Sequence, residues 1–129
     1  MDTETAAQLV PIRKSGGNSR MTLNEYQEQA MRTSSKELSR HAHLLNGCLG
    51  LAGEAGECCD LLKKNQFQDG RPIREKLLDE LGDVLWYIAE SASALGYTLE
   101  EVAVHNVKKL MDRYPQGFDA ERSLHREDT

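Results

Sequence analysis

Leu44, Leu45, Cys48, Leu49, Ala52 and Leu62 recur at helical spacing, so the segment from about Glu37 to Lys64 is expected to form one long helix with an apolar stripe. A second stripe, through Ile73, Leu77, Leu81, Val84, Ile88 and Leu95, predicts another long helix with Pro72 in its first turn and Gly96 as its stop. The stretch Asn65 to Pro72 between them is polar and holds Gly70, which reads as a turn and makes the two helices an antiparallel hairpin. Shorter helices are expected on either side. Thr22-Leu23-Asn24-Glu25 and Thr98-Leu99-Glu100-Glu101 both spell a capping box, with Thr as N-cap and Glu at the third helical position. The first should run to about Arg32 with Tyr26 and Ala30 inward, followed by a break at Thr33-Ser34-Ser35. The second should end at Pro115 and Gly117, with Val102, Ala103, Val107, Leu110 and Met111 inward. No alternating strand pattern appears, so the expected fold is all-α, a four-helix bundle-like subunit. Residues 1–20 read as a flexible arm, 21–118 as the domain and 119–129 as a loose tail.

Two features interrupt the stripes. Gly47, Gly50, Gly53 and Gly56 follow at three-residue intervals, each costing roughly 1 kcal/mol relative to Ala inside a helix, so close packing against another backbone is expected there. The other is a pair of acidic pairs, Glu54-x-x-Glu57 and Glu80-x-x-Asp83, placed at equal distances from a midpoint between Gln68 and Asp69. Composition alone predicts roughly three acidic pairs at this spacing, and the sequence has four, so the count decides nothing. Placement decides more. In an antiparallel hairpin all four carboxylates come to one level, in apolar surroundings where unpartnered ionised groups are costly. Such a cluster calls for a cation, and oxygen-only donors suit magnesium, whose remaining coordination is filled by water and substrate phosphates. The candidate helices carry no Glu-x-x-His pair of the di-iron kind, and the glycine-rich run lacks the Gly-Lys-Ser/Thr ending of a phosphate loop.

A chain of 129 residues with net charge -5 suits one domain and argues against binding to a nucleic-acid polymer through a general basic field. Cys48, Cys58 and Cys59 are odd in number and lack metal-ligand spacing, which fits a reducing, cytoplasmic setting. Cys58 and Cys59 are expected as small buried hydrophobes. No run approaches the ~20 apolar residues of a membrane span.

The run Gly50-Leu51-Ala52-Gly53-Glu54-Ala55-Gly56-Glu57, followed by Asp79-Glu80-Leu81-Gly82-Asp83-Val84-Leu85-Trp86-Tyr87 and by Asn106-Val107-Lys108-Lys109-Leu110-Met111-Asp112-Arg113-Tyr114-Pro115, resembles the MazG-like all-α nucleoside triphosphate pyrophosphohydrolases. The likeness covers about Thr22 to Phe118. It implies hydrolysis of a (deoxy)nucleoside triphosphate to the monophosphate and pyrophosphate, with Glu54, Glu57, Glu80 and Asp83 holding magnesium, for which manganese is a possible substitute. It also implies a homodimer or dimer of dimers with sites near subunit contacts. By the same likeness Asn106, Lys109 and Arg113 form the polar face of the last helix, where the two cations suit phosphate oxygens. Trp86 is a candidate for stacking on a base, against a competing role in the core. Many relatives place an acid immediately before the first motif glutamate. Gly53 stands there instead, so the group that takes the proton from the attacking water is left open.

Two other readings stay open at this point: a phosphoribosyl-ATP pyrophosphohydrolase-like enzyme, and a helical dimerisation or regulatory module without turnover. The Asn-x-x-Lys-Leu-x-x-Arg-Tyr-Pro block favours the MazG-like branch over the first, and the presence of all four acids argues against the second. His41, His43, His105 and His125 read as surface or capping residues rather than metal ligands.

Overall fold

The structure, a computed structural model, describes residues 20–125. Helix α1 spans Leu23–Met31, α2 Arg40–Lys64, α3 Arg74–Leu95, α4 Leu99–Arg113 and α5 Ala120–Leu124. A π-helical turn, Asn65–Asp69, extends α2. The expected all-α class is what the chain adopts, and none of the described helices is long and apolar enough to cross a membrane.

Both capping boxes form. Thr22 Oγ1 accepts from Glu25 N at 3.1 Å, Thr98 Oγ1 accepts from Glu101 N at 3.1 Å, and each glutamate returns a bond to its threonine's backbone. Helix α2 starts three residues later than the stripe predicts, because the Ser39 hydroxyl accepts from Ala42 N and sets the cap there. Its far end does not stop at Lys64 but widens into the π turn and closes at Gly70, whose φ of 63° is left-handed. Asn65 Nδ2 donates to the Arg71 carbonyl at 2.7 Å, and Arg71 N donates to Asp69 Oδ1 at 3.1 Å, so the turn is locked by side chains. Pro72 consequently lies just outside α3, ahead of the N-cap Ile73, rather than in its first turn.

Helices α2 and α3 pair antiparallel along most of their length, and two glycines permit it. A Cβ on Gly47 would stand 2.2 Å from Ser91 Oγ, and one on Gly50 would stand 2.2 Å from the Tyr87 ring. Gly47 facing Ser91 and Gly50 facing Tyr87 put the pairing axis where the acidic spacing places it. The expectation of close packing holds for these two only. Gly53 and Gly56 would meet nothing within 4 Å.

The buried core is small: Ala89, Ala92 and Leu99, packed by Tyr26, Met31 and Ile88. Helix α1 crosses this end and fastens the α3–α4 turn. Gln27 Oε1 accepts from Leu99 N at 2.7 Å, its Nε2 donates to Ser93 Oγ at 2.9 Å, and Asn24 bonds Glu100 through both backbone and side chain. Helix α4 is held by its first residues, and its expected inner face is uncovered: Val107 is 57 % and Met111 59 % exposed. Leu45, Leu49, Leu62, Leu81 and Leu95, read as inward from their spacing, are also exposed. The physical reason is that α1 is too short to cover the outer side of the hairpin and α4 packs on α1 and α3 rather than on α2. Residues 120–124 form a helix where a loose tail is expected, because Asp119 Oδ1 accepts from Glu121 N and Arg122 N. The expected arm falls on residues 1–19, outside those described, except for Arg20.

Candidate metal and substrate site

The mirrored acids meet, with one exception. Glu54 from α2 and Glu80 and Asp83 from α3 each place a carboxylate oxygen within 4.8 Å of the others. Crowding of like charge shows in the titration of Glu80: its pKa is raised by a hydrogen bond with Glu54, then by burial, then by the charges of Glu54, Asp83 and Asp79. Tyr26 of α1 lies close enough to feel the same cluster. Its phenol is pushed up mainly by burial and further by Asp83.

Glu57 stands outside this group and is exposed. Glu80 and Asp83 have the same i, i+3 relation and both join the trio, so spacing does not decide it: on α2 Glu54 is the member that meets α3, and Glu57 faces solvent. Half-buried Cys58 turns toward the cluster instead. Its thiol pKa is raised first by burial and then by Glu80, with Glu54 a smaller contributor. Cys59 and Cys48 are exposed, so the expectation that Cys58 and Cys59 are both buried is corrected.

The trio opens into a cleft of about 340 Å³ lined by Glu54, Asp83, Trp86 and Tyr87. Trp86 is fixed there. Its Nε1 donates to Thr33 Oγ1 at 2.8 Å and to the Ala30 carbonyl at 3.2 Å, and its ring stands edge-on to Tyr87 with centroids 5.1 Å apart. The structure thus brings Trp86 to the acids, as the sequence suggests. It does not bring Asn106, Lys109 and Arg113 to them. Those residues share one face of α4, Asn106 and Lys109 are exposed, and none bonds to the trio.

No Lys or Arg is paired with the trio among the described residues; the Lys and Arg ion pairs there are Lys64 with Asp60 at 2.6 Å and Arg71 with Asp69. Three convergent carboxyl oxygens without a protein cation fit a hard divalent ion that keeps open positions for water and phosphate. Sequence reasoning missed a second carboxyl on the same face of α3. Glu90 is 2 % exposed, accepts from Asn46 Nδ2 at 2.7 Å and lies 3.7 Å from His43 Nδ1. The signal was available: an acid seven residues beyond Asp83, inside the run Ile88-Ala89-Glu90-Ser91-Ala92.

The site is thus an antiparallel α-helical hairpin that brings carboxyls from both helices together beside an aromatic cleft. A family model described as the MazG nucleotide pyrophosphohydrolase domain matches residues 41–118, more than half of the chain, and the chain belongs to that family. It is similar to "Gene 37 protein" of Mycobacterium phage L5, with 41 % identity over 73 residues, which is 54 % of this chain and 64 % of the relative. The match therefore spans less than two thirds of that relative's length. No solved structure matches the chain.

Proposed function

We propose that the protein hydrolyses (deoxy)nucleoside triphosphates to the monophosphate and pyrophosphate, with magnesium held by Glu54, Glu80 and Asp83. The observation that carries this reading is the convergence of those three carboxyls within 4.8 Å beside the cleft that Trp86 lines. Glu57, one turn along α2, joins the donor set by a side-chain rearrangement. When bound, magnesium neutralises phosphate charge and polarises the phosphorus centre, and manganese substitutes for it. The chain's own part is positional. The carboxyls fix where the phosphates lie, the Gly47 and Gly50 contacts keep α2 and α3 at the distance the trio needs, and the bonded Trp86 offers a rigid face to the base.

Asn106, Lys109 and Arg113 are proposed to take phosphate oxygens. Within one chain α4 does not pack on α2, so this assignment goes with a homodimer or dimer of dimers in which α4 borders the acidic site of a second copy. The uncovered apolar residues support assembly: Leu49 is 71 %, Val104 69 % and Leu78 68 % exposed, more apolar surface than a chain with so small a core hides alone. The test is product analysis with a panel of nucleoside triphosphates and magnesium. Pyrophosphate and a monophosphate are expected. Orthophosphate with accumulation of a diphosphate contradicts the reading.

A further inference from the structure

We infer that Glu90 is a positioning residue that fixes the register of α2 on α3 and thereby holds Glu54 opposite Glu80 and Asp83. The inference rests on the metal-site reading above. Glu90 is the buried ionisable side chain among the described residues, and the proposed chemistry does not use it. Its carboxyl gathers α2 and the α1–α2 connection onto α3: Asn46 Nδ2 donates to Oε1 at 2.7 Å, Ser34 Oγ donates to Oε2 at 3.5 Å, and His43 Nδ1 lies 3.7 Å from Oε2. Outside the trio itself, where Glu54 and Glu80 share a hydrogen bond, the other polar link between α2 and α3 among the described residues is the long Cys48 Sγ to Ser91 Oγ contact of 4.0 Å. Gly47 against Ser91 and Gly50 against Tyr87 set the close spacing of the two helices at this end, and the Asn46 to Glu90 bond adds a directional polar link to that packing.

Sliding matters at the acidic end. Glu90 lies seven residues from Asp83, and Asn46 eight from Glu54, so the bonded pair sits about 10–12 Å along the hairpin from the trio on the same contact face. A shift of α2 by a fraction of a turn carries Glu54 away from both α3 acids. Mutual repulsion of the three carboxyls favours such a shift whenever no cation is bound, and the short Asn46 to Glu90 bond opposes it.

The experiment measures Mn²⁺ binding to the full chain from the loss of the free-ion electron paramagnetic resonance signal, with metal-free thermal melts alongside. The variants are Glu90→Ala, Glu90→Gln, Asn46→Ala and the double Glu90→Ala/Asn46→Ala. Each alanine variant is expected to weaken Mn²⁺ binding about ten-fold, the scale seen when groups behind metal ligands are removed. Glu90→Gln, which keeps an oxygen for Asn46, is expected to recover most of that loss. The double variant should be no weaker than the weaker single. Melting temperatures that fall while Mn²⁺ affinity of the folded protein stays unchanged would overturn the inference, and so would single-variant losses that multiply. Asn46 is exposed, so Asn46→Ala carries the test if Glu90→Ala does not fold. A parent that binds no Mn²⁺ overturns the metal-site reading itself, which separates the two failures.

Discussion

Two carboxyl clusters share the α2-facing side of α3, two helical turns apart, and they are built in opposite ways. At Glu90 a single carboxyl, 2 % exposed, accepts from Asn46 and Ser34 and lies 3.7 Å from the His43 ring. At the other end Glu54, Glu80 and Asp83 are more open, face one another and have no Lys or Arg partner among the described residues. A buried acid whose acceptors are filled by the protein serves the fold. An acidic cluster without a Lys or Arg partner among the described residues is what the proposed metal site calls for, and the raised pKa of Glu80, due first to its bond with Glu54 and then to burial, goes with that crowding.

The largest effects should come from neutralising one member of each cluster. Glu80→Gln or Asp83→Asn is expected to lower pyrophosphate release by about a thousand-fold or more, since charge stabilisation worth several kcal/mol is lost and each 1.4 kcal/mol is tenfold in rate. The metal-free protein should be no less stable for it, because repulsion is relieved; urea titration of the same variants checks this. Glu90→Ala should do the reverse at the level of the fold. It strands Asn46 and Ser34 and is expected to cost about 1–3 kcal/mol in the urea midpoint analysis. If both substitutions shift stability in the same direction, the contrast between the clusters fails.

The sequence made the first cluster legible because mirror spacing about a turn survives translation into an antiparallel hairpin. Glu54, Glu80 and Asp83 followed from it; the two threonine caps and the Gly96 stop of α3 were legible from local motifs instead, while Pro72 fell outside α3 and Leu81 and Leu95 on its exposed side. Glu57 did not follow: i, i+3 spacing brings both Glu80 and Asp83 into the trio but leaves Glu57 exposed, and spacing alone does not say whether one or both members of a pair meet the partner helix. The Glu90 cluster was not legible as a unit. It is assembled from an acid on α3, two residues on α2 and a loop serine, and no local motif joins positions 34, 43, 46 and 90. The outward stripes on α2 and α4 misled for a different reason: apolar periodicity says which face avoids water, not which molecule covers it.

Smaller effects sharpen the picture of the contact face that joins the clusters. Gly50→Ala places a methyl group 2.2 Å from the Tyr87 ring, so overpacking should outweigh the gain in helix propensity and destabilise by about 1–2 kcal/mol in a urea titration. The smallest effect lies at the turn. Asp69 is held at a pKa of about 2, below its ordinary 3.8, by its side-chain bond to Arg71. A depressed carboxyl stabilises the fold fully above the ordinary value and loses that contribution as pH falls toward 2. Asp69→Asn should therefore flatten the decline of melting temperature across that window by lowering the neutral-pH melt by the same small amount, small because the exposed ion pair is screened by solvent.

The most direct test of the acidic trio as a metal site is a set of thermal melts of the parent, Glu80→Gln and Asp83→Asn, each with and without magnesium. Binding to the folded state alone raises the melting temperature by mass action, so the parent should shift upward and both variants should shift less. Equal magnesium shifts in all three proteins would contradict the account, because the ion would then be bound without these carboxyls.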